Sequence, residues 1–278
     1  MWFNFAILSG IFYTAQGLWT RKVLKGQRDS WAFSFYFSLV GALVSLPFFL
    51  HEPKIGSTAL SWALITFAGI FIVAQNYLTF KSLNYISASI NGSINKFRLV
   101  WIFIFGTLIL GEVFSPAKVA GTILTIIAGL IVVGGLKTKG NSRGFLLAFS
   151  ATFFYGVVVL LYKYLFTDFN SQSLTFFIFL IPALINIFIM PNGIARIIKL
   201  AESDGPAVVA ACALGSVANL AMNYALSVGE ASRVNVMIEA FLVVTLVGEN
   251  LVLKEKDNLS VKILAVLLSV VGAILLKL

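Results

Sequence analysis

Charged side chains are scarce in this sequence of 278 residues. Only 11% of the residues are charged and 59% are hydrophobic, whereas a soluble domain carries about 25% charged residues. The mean hydropathy of +0.97 reflects the same shortage. This composition excludes an ordinary soluble domain and predicts an integral membrane protein with many spans.

Cysteine and histidine are almost absent, with one of each, Cys212 and His51. A single cysteine cannot form a disulfide within the chain, and these two residues cannot build a metal cluster. The sequence also lacks GxSxG, Walker and HExxH motifs. We therefore expect no enzyme activity, no cofactor and no metal, and we expect Cys212 to pack as a small buried side chain.

The net charge of +9 does not indicate a nucleic-acid partner. The lysines and arginines stand at the ends of apolar runs and not in a patch interleaved with aromatic residues. The basic loops of a membrane protein ordinarily determine its topology. Most of these lysines and arginines fall in every second connection between apolar runs, starting with the connection at residues 21–28. The positive-inside rule then places both termini outside.

Ten apolar runs are long enough to cross a bilayer, which takes about 20 residues in a helix. Helices are the expected element because a bilayer offers backbone groups no water to bond. The longest connection, residues 190–206, is predicted to hold a short helix at the membrane surface. The predicted spans are 3–23, 31–50, 59–80, 86–109, 117–136, 144–165, 173–190, 206–227, 232–252 and 259–277.

The polar break "KTKGNSR" at residues 137–143 divides the chain into two predicted five-helix repeats, residues 1–140 and 141–278. At a constant shift of 143 residues, Asn76 meets Asn219, and "LGE" at 110–112 meets "LKE" at 253–255. An odd number of spans in each half makes the second half enter the membrane from the opposite face. The fold predicted is therefore all-α, with ten transmembrane helices in two inverted repeats, an arrangement typical of secondary transporters.

Short motifs lead into and close the fourth span of each half: "KSLNYISAS" and "ALSVGEAS" before it, "LGE" and "LKE" after it. With them the chain resembles, over nearly its whole length, the EamA family of the drug/metabolite transporter superfamily. The resemblance implies a ten-helix bundle around a central cavity formed mainly by spans 1, 3, 4, 6, 8 and 9. It also implies export of small metabolites, amino acids among them, and cytoplasmic termini, against the charge count.

This chain departs from the family pattern in one respect. Many members have a proline in the fourth span of each half, but residues 97–100 and 240–243 contain none. The family therefore does not predict how these two helices bend in this chain.

Lys96 lies near the middle of the fourth predicted span, in "INKFRLVW". At 1.5 Å per residue it is about 15 Å from the ends of the span, too deep for easy snorkelling. The repeat pairs its position with Glu239 in the ninth span. The two residues are expected to form an ion pair between the halves, to contact substrate, or to do both if the pair breaks during transport. Arg98 falls about 200° around an ideal helix from Lys96, so it is expected on a different face.

The other candidate substrate-binding residues are polar or aromatic side chains within predicted spans. Each amide has the alternative role of a hydrogen bond between helices, and each tyrosine that of core packing. Glu239 is in addition the candidate for carrying a coupling proton, because burial favours the neutral form of a carboxyl group. The further candidates are Tyr13, Gln16, Gln75, Asn76, Tyr155, Asn219, Asn223 and Asn235.

These observations predict a secondary transporter of small polar or amphipathic metabolites, with amino acids as the best guess. The protein is expected as a monomer or homodimer in a cell (inner) membrane, with a small-molecule substrate as its partner. A facilitator or antiporter for sugars or phosphorylated metabolites is the alternative, and two cations in the cavity would favour it. A channel and a lipid flippase or scramblase also remain open.

Overall fold

A computed structural model describes most of the first nine predicted spans. The described residues are 1–24, 29–82, 85–86, 91, 94–113, 115–134 and 142–240, together with 264, 267, 268, 271, 272, 274 and 275. Most of the tenth predicted span and the second half of the ninth lie outside them.

The described part of the chain contains helices and no strand, and nine of the helices are longer than nine residues. They are α1 (Trp2–Leu24), α2 (Ser30–His51), α3 (Ala59–Ser82), α4 (Arg98–Leu108), α5 (Pro116–Gly134), α6 (Ser142–Leu165), α7 (Ser171–Ile189), α8 (Gly193–Val228) and α9 (231–240).

Five of these helices, α2, α3, α6, α7 and α8, are long and apolar enough to cross a membrane, and two shorter apolar helices add to them. This confirms the predicted all-α membrane protein. The total of ten spans and the inverted orientation of the two halves remain predictions.

Local sequence explains several helix ends. The side chain of Asp29 accepts hydrogen bonds from the first backbone N–H groups of α2, and Asn170 does the same for α7. Such caps satisfy donors that a helix cannot pair internally. Pro116 opens α5, as expected from its fixed φ angle.

The surface helix predicted in residues 190–206 forms the beginning of α8. A non-helical residue, Asp204, separates it from the spanning part of the same helix, and Pro206 lies two residues further on. Ile194 and Ile198 of this segment are exposed, 74% and 50%, as suits a helix lying at a lipid interface.

The two halves of the chain pack mainly against each other. Helix α1 lies along α8, α3 lies along α6, and α2 lies against both α7 and α8. Trp2 approaches Gly229 and Gln16 approaches Gly215, so α1 and α8 run antiparallel. One buried apolar cluster takes residues from α1, α3, α4, α6, α7, α8 and α9, and it encloses the candidate site.

An ion pair joins the two halves at the end of the protein where α2 begins. Arg196 of α8 donates to both carboxylate oxygens of Asp29. Burial raises the pKa of the Asp29 carboxyl, but hydrogen bonds from Arg196, Ala32 and Trp31 outweigh that effect and hold it below its ordinary value. Asp29 therefore keeps its charge at neutral pH and serves both as helix cap and as ion-pair partner.

Close contact between α4 and α6 depends on Gly156. A Cβ atom at this position would lie 2.6 Å from the Cβ atom of Trp101. We expect Gly156→Ala to lower the free energy of unfolding by about 1–3 kcal/mol, because a well-packed contact must shift.

Gly17→Ala is the matched control, since nothing lies within 4 Å of a Cβ atom there. It should be neutral or stabilising by about 0.5–1 kcal/mol. Thermal unfolding in detergent measures both, and equal effects would contradict the packing argument.

Candidate functional site

The fourth predicted span is interrupted where Lys96 lies. Residues 94 and 95 are helical, Lys96 and Phe97 form a turn, and α4 begins at Arg98. The N–H groups of Phe97, Leu99 and Val100 each bond the carbonyl three residues earlier, which is the tighter 3₁₀ pattern. The prediction of one regular helix over 86–109 is wrong at this point, although no proline is present.

Lys96 is buried and forms an ion pair with Glu239 of α9. Its Nζ atom lies 2.5 Å from Oε2 of Glu239 and 2.8 Å from the backbone oxygen of the same residue. The two side chains are 7% and 3% exposed. The ion pair expected from the internal repeat is thus present. The contact of either residue with substrate stays a prediction.

Arg98 pairs with the other oxygen of the same carboxylate, Oε1 of Glu239. The expectation that Arg98 serves a different face from Lys96 is therefore wrong. In a regular helix, residues two positions apart differ by about 200°, which is 160° by the shorter way round. In a 3₁₀ turn the shorter angle falls to about 120°. The long arginine side chain covers the remaining distance, so Glu239 is held between two cations.

Arg98 also lies on the face of an aromatic ring. Its guanidinium carbon is 4.4 Å from the ring centroid of Tyr155 in α6, a distance at which a cation is attracted to the ring. The hydroxyl of Tyr155 donates to the amide oxygen of Asn235, 3.2 Å away, and that amide donates to the carbonyl of Ala231. Tyr155 and Asn235, both predicted site residues, therefore join the charged cluster.

Met222 of α8 brings a further predicted residue to the cluster. The hydroxyls of Tyr13 and Tyr155 lie 3.7 Å and 3.4 Å from its sulfur atom. This is a polarizable, aromatic surface suited to an amphipathic body. The charged and aromatic parts together form what we call the central cluster: Tyr13, Lys96, Arg98, Tyr155, Met222, Asn235 and Glu239.

The remaining candidate amides make other contacts. Asn223 is fully buried and donates to the Thr175 hydroxyl of α7, which is the interhelical role considered as its alternative. Asn219 donates to the carbonyl of Gly215 in its own helix. Gln75 lies 3.4 Å from Thr79 in α3.

Two candidates are half-buried. Asn76 lies in α3 beside Gln75, and Gln16 of α1 packs against Gly215 of α8. Neither these amides nor Asn219, Asn223 and Gln75 are seen in contact with the charged centre of the cluster, so their substrate contact remains a prediction.

A second group of charges fixes the start of α9. The chain turns back after α4 at Gly111, whose φ of +66° favours glycine. The next residue, Glu112, accepts from the backbone N–H groups of Ala231 and Ser232 and from the Ser232 hydroxyl. A carboxylate at a helix N-terminus satisfies unpaired donors and complements the helix dipole.

Lys118 holds this carboxylate in place. Its side chain is only 1% exposed, and its Nζ atom lies 3.3 Å from Glu112, 3.2 Å from Glu230 and 3.0 Å from the carbonyl of Val113. Its ammonium group therefore donates to Glu112 and Val113 and lies at ion-pair distance from Glu230. Arg233 pairs with Glu230 at the edge of the group. We call these residues, Glu112, Lys118, Glu230 and Arg233, the capping cluster.

Sequence reasoning missed the capping cluster and Met222. Glu112 was not among the predicted site residues, although its side chain is only 5% exposed. The signal was present in the motifs, because "LGE" carries the cap and "GEAS" (229–232) carries its donors. Across the described residues, no group of three or more His, Cys, Asp or Glu side chains could hold a metal ion.

Comparison with known proteins identifies a family. The model of the EamA-like transporter family matches residues 1–134 and 142–278, and no curated protein matches. Among solved structures 29 chains match. One of them, described only as "Crystal structure of protein", shares 16% identity with this chain at a TM-score of 0.77. That match covers 99% of this chain and 95% of the other, and it shows a common fold.

Proposed function

We propose that this chain, which belongs to the EamA-like transporter family, is a secondary transporter of small polar or amphipathic metabolites. The observation that carries the proposal is the buried group of Lys96, Arg98 and Glu239, which joins one half of the chain to the other. Ionisable side chains inside a membrane domain are rare and by default suggest a transport pathway. A site shared by two halves opens to either side when the halves rock, which is alternating access.

The substrate proposed from the sequence is an amino acid, exported across the inner cell membrane. Glu239 would take the ammonium group, and Lys96 or Asn235 would take the carboxylate. The ring of Tyr155 and the sulfur of Met222 offer an apolar surface beside these groups. Binding requires the Lys96–Glu239 ion pair to open, so the resting protein is held together by the groups that the substrate uses.

Glu239 remains the candidate for proton coupling. Both carboxylate oxygens face a cation, so a proton is carried only in a state in which these cations have moved away. Transport by Glu239→Gln that still follows a pH gradient at the full rate would remove this role.

A phosphorylated metabolite is the second candidate substrate. The specific observation in its favour is the position of Arg98, which supplies a second cation beside Lys96. Arginine binds phosphate oxygens bidentately. Exchange of inorganic phosphate in proteoliposomes distinguishes this candidate from the amino acid.

Uptake in proteoliposomes tests the transport proposal. We expect Lys96→Ala to raise the KM for a transported amino acid by about tenfold or more, the loss of a single charged contact worth about 1.4 kcal/mol. Lys199→Ala is the control, because Lys199 lies exposed in the surface segment of α8 and should leave uptake unchanged. An unaltered KM in Lys96→Ala would remove the site role, and stepwise currents in a planar bilayer would indicate a channel instead.

A further inference from the structure

The charges of the central cluster do not balance. In the described part of the chain, Glu239 is the one acidic side chain that pairs with Lys96 or Arg98. The stretches just before Lys96 that are not described, 83–84, 87–90 and 92–93, contain no ionisable side chain in the sequence, and the next one after Glu239 is Glu249. Among the described residues, two basic side chains thus face one carboxylate, an excess of one basic group.

An excess charge inside a membrane domain is unfavourable unless a partner neutralises it. One oxygen of Glu239 accepts a hydrogen bond from Lys96, and the other lies at ion-pair distance from Arg98. The neutral groups around them, Tyr155 and Asn235, bond each other. An incoming anion would supply the missing charge, whereas a zwitterion would leave the excess unchanged.

Arg98 is the group best placed to receive that anion. Its side chain is 18% exposed, against 7% for Lys96 and 3% for Glu239. Its Nε atom is buried and has no hydrogen-bond partner among the described residues. The Tyr155 ring covers one face of the guanidinium, so a ligand oxygen approaches at the edge, where the N–H groups point.

We infer that the central cluster selects solutes of net charge −1, whose carboxylate or equivalent oxyanion binds Arg98, over zwitterions of the same size. The inference rests on the proposed transport function and narrows its substrate class to organic monoanions, including acidic and N-blocked amino acids. The aromatic hydroxyls and sulfur of Tyr13, Tyr155 and Met222 accommodate an apolar or aromatic body beside the anion.

Three probes of nearly equal size and different charge test this selectivity. They are 3-phenylpropanoate, which is an anion, phenylalanine, which is a zwitterion, and 2-phenylethylamine, which is a cation. Each is titrated against the purified full-length protein in detergent, and the rise in unfolding temperature reports binding to the native state. We expect the anion to bind about tenfold or more tightly than the zwitterion, as one uncompensated charge in a partly buried site implies, and the amine to give no rise.

Variants connect the selectivity to Arg98. Arg98→Met leaves the neutral Lys96–Glu239 ion pair, so the protein should fold while the preference for the anion disappears. Arg98→Lys keeps the charge and should restore the preference. Glu249→Gln removes the next acidic residue of the sequence and should leave the order of the three probes unchanged.

Several outcomes overturn the inference. Equal or tighter binding of phenylalanine does so, as does an unchanged preference in Arg98→Met, a changed order in Glu249→Gln, or a response to none of the probes at millimolar concentration. The transport proposal is tested separately from the selectivity. Proteoliposomes that accumulate phenylalanine without preferring the anion would retain the transporter and reject only monoanion selectivity.

Discussion

Replacing Glu239 with glutamine is expected to lower the free energy of unfolding by about 3–5 kcal/mol, because it leaves buried cations without a counter-charge. The carboxylate is 3% exposed and is the partner of both Lys96 and Arg98. A glutamine of the same shape keeps the packing but cannot balance either charge. Thermal unfolding in detergent, with and without denaturant, measures the loss.

Lys96→Met is the matched variant for this prediction. It removes one cation but leaves the Arg98–Glu239 ion pair, which is neutral as a unit. Because the starting cluster carries two cations and one carboxylate, this change should destabilise the protein less than Glu239→Gln. Losses of the same size in the two variants, or a larger loss in Lys96→Met, would contradict the excess positive charge.

The membrane fold was predictable because hydropathy is a property of each segment alone. Long apolar runs define spanning helices whatever they pack against, and the first eight predicted spans all contain helix in the structure. The family was predictable from the short motifs "LGE" and "ALSVGEAS", and the match over both halves confirms it.

The Lys96–Glu239 ion pair was also within reach of the sequence. A repeat places equivalent residues at equivalent depths, and the two charges stand at one constant shift with opposite sign. The ion pair itself is found in the structure. The repeat carries no information on a ligand, so the substrate roles of the site residues stay predictions.

The break at Lys96 and Phe97 could not be read from the residues around it. Helix breaks are usually signalled by proline or glycine, and "INKFRLV" contains neither. The position of Arg98 depends on this break, since the angle between two side chains follows from the local hydrogen-bond pattern. An error about one turn therefore became an error about which residue faces the site.

Glu112 was missed for a different reason. Its partners, Ala231 and Ser232, lie more than a hundred residues away in the chain, so no local pattern reports the contact. A carboxylate at the end of a helix ordinarily faces water, and only the folded chain shows that this one caps another helix. Long-range contacts of this kind are the part of a site that a single sequence conceals.

Removing the Glu112 carboxylate should be nearly as damaging as removing that of Glu239. Glu112→Ala leaves the N–H groups of Ala231 and Ser232 unpaired and deprives buried Lys118 of one of its two carboxylates. Breaking a buried ion pair from one side costs about 3–5 kcal/mol, and the lost helix cap belongs to the same change. The unfolding temperature of the purified protein measures the effect.

Glu230→Gln tests whether the cap or merely the nearby charge matters. Glu230 also pairs with Lys118, but its side chain is 28% exposed. The carboxylate that caps α9 is that of Glu112. The loss of the Glu230 carboxylate should therefore cost less than that of Glu112, because Lys118 keeps the Glu112 carboxylate and α9 keeps its cap. Because Asn235 and Glu239 lie on α9, one and two turns beyond the capped end, a helix that frays without Glu112 should also raise the KM for substrate. A Glu112→Ala protein as stable as Glu230→Gln, with an unchanged KM, would show that α9 holds its position without this cap.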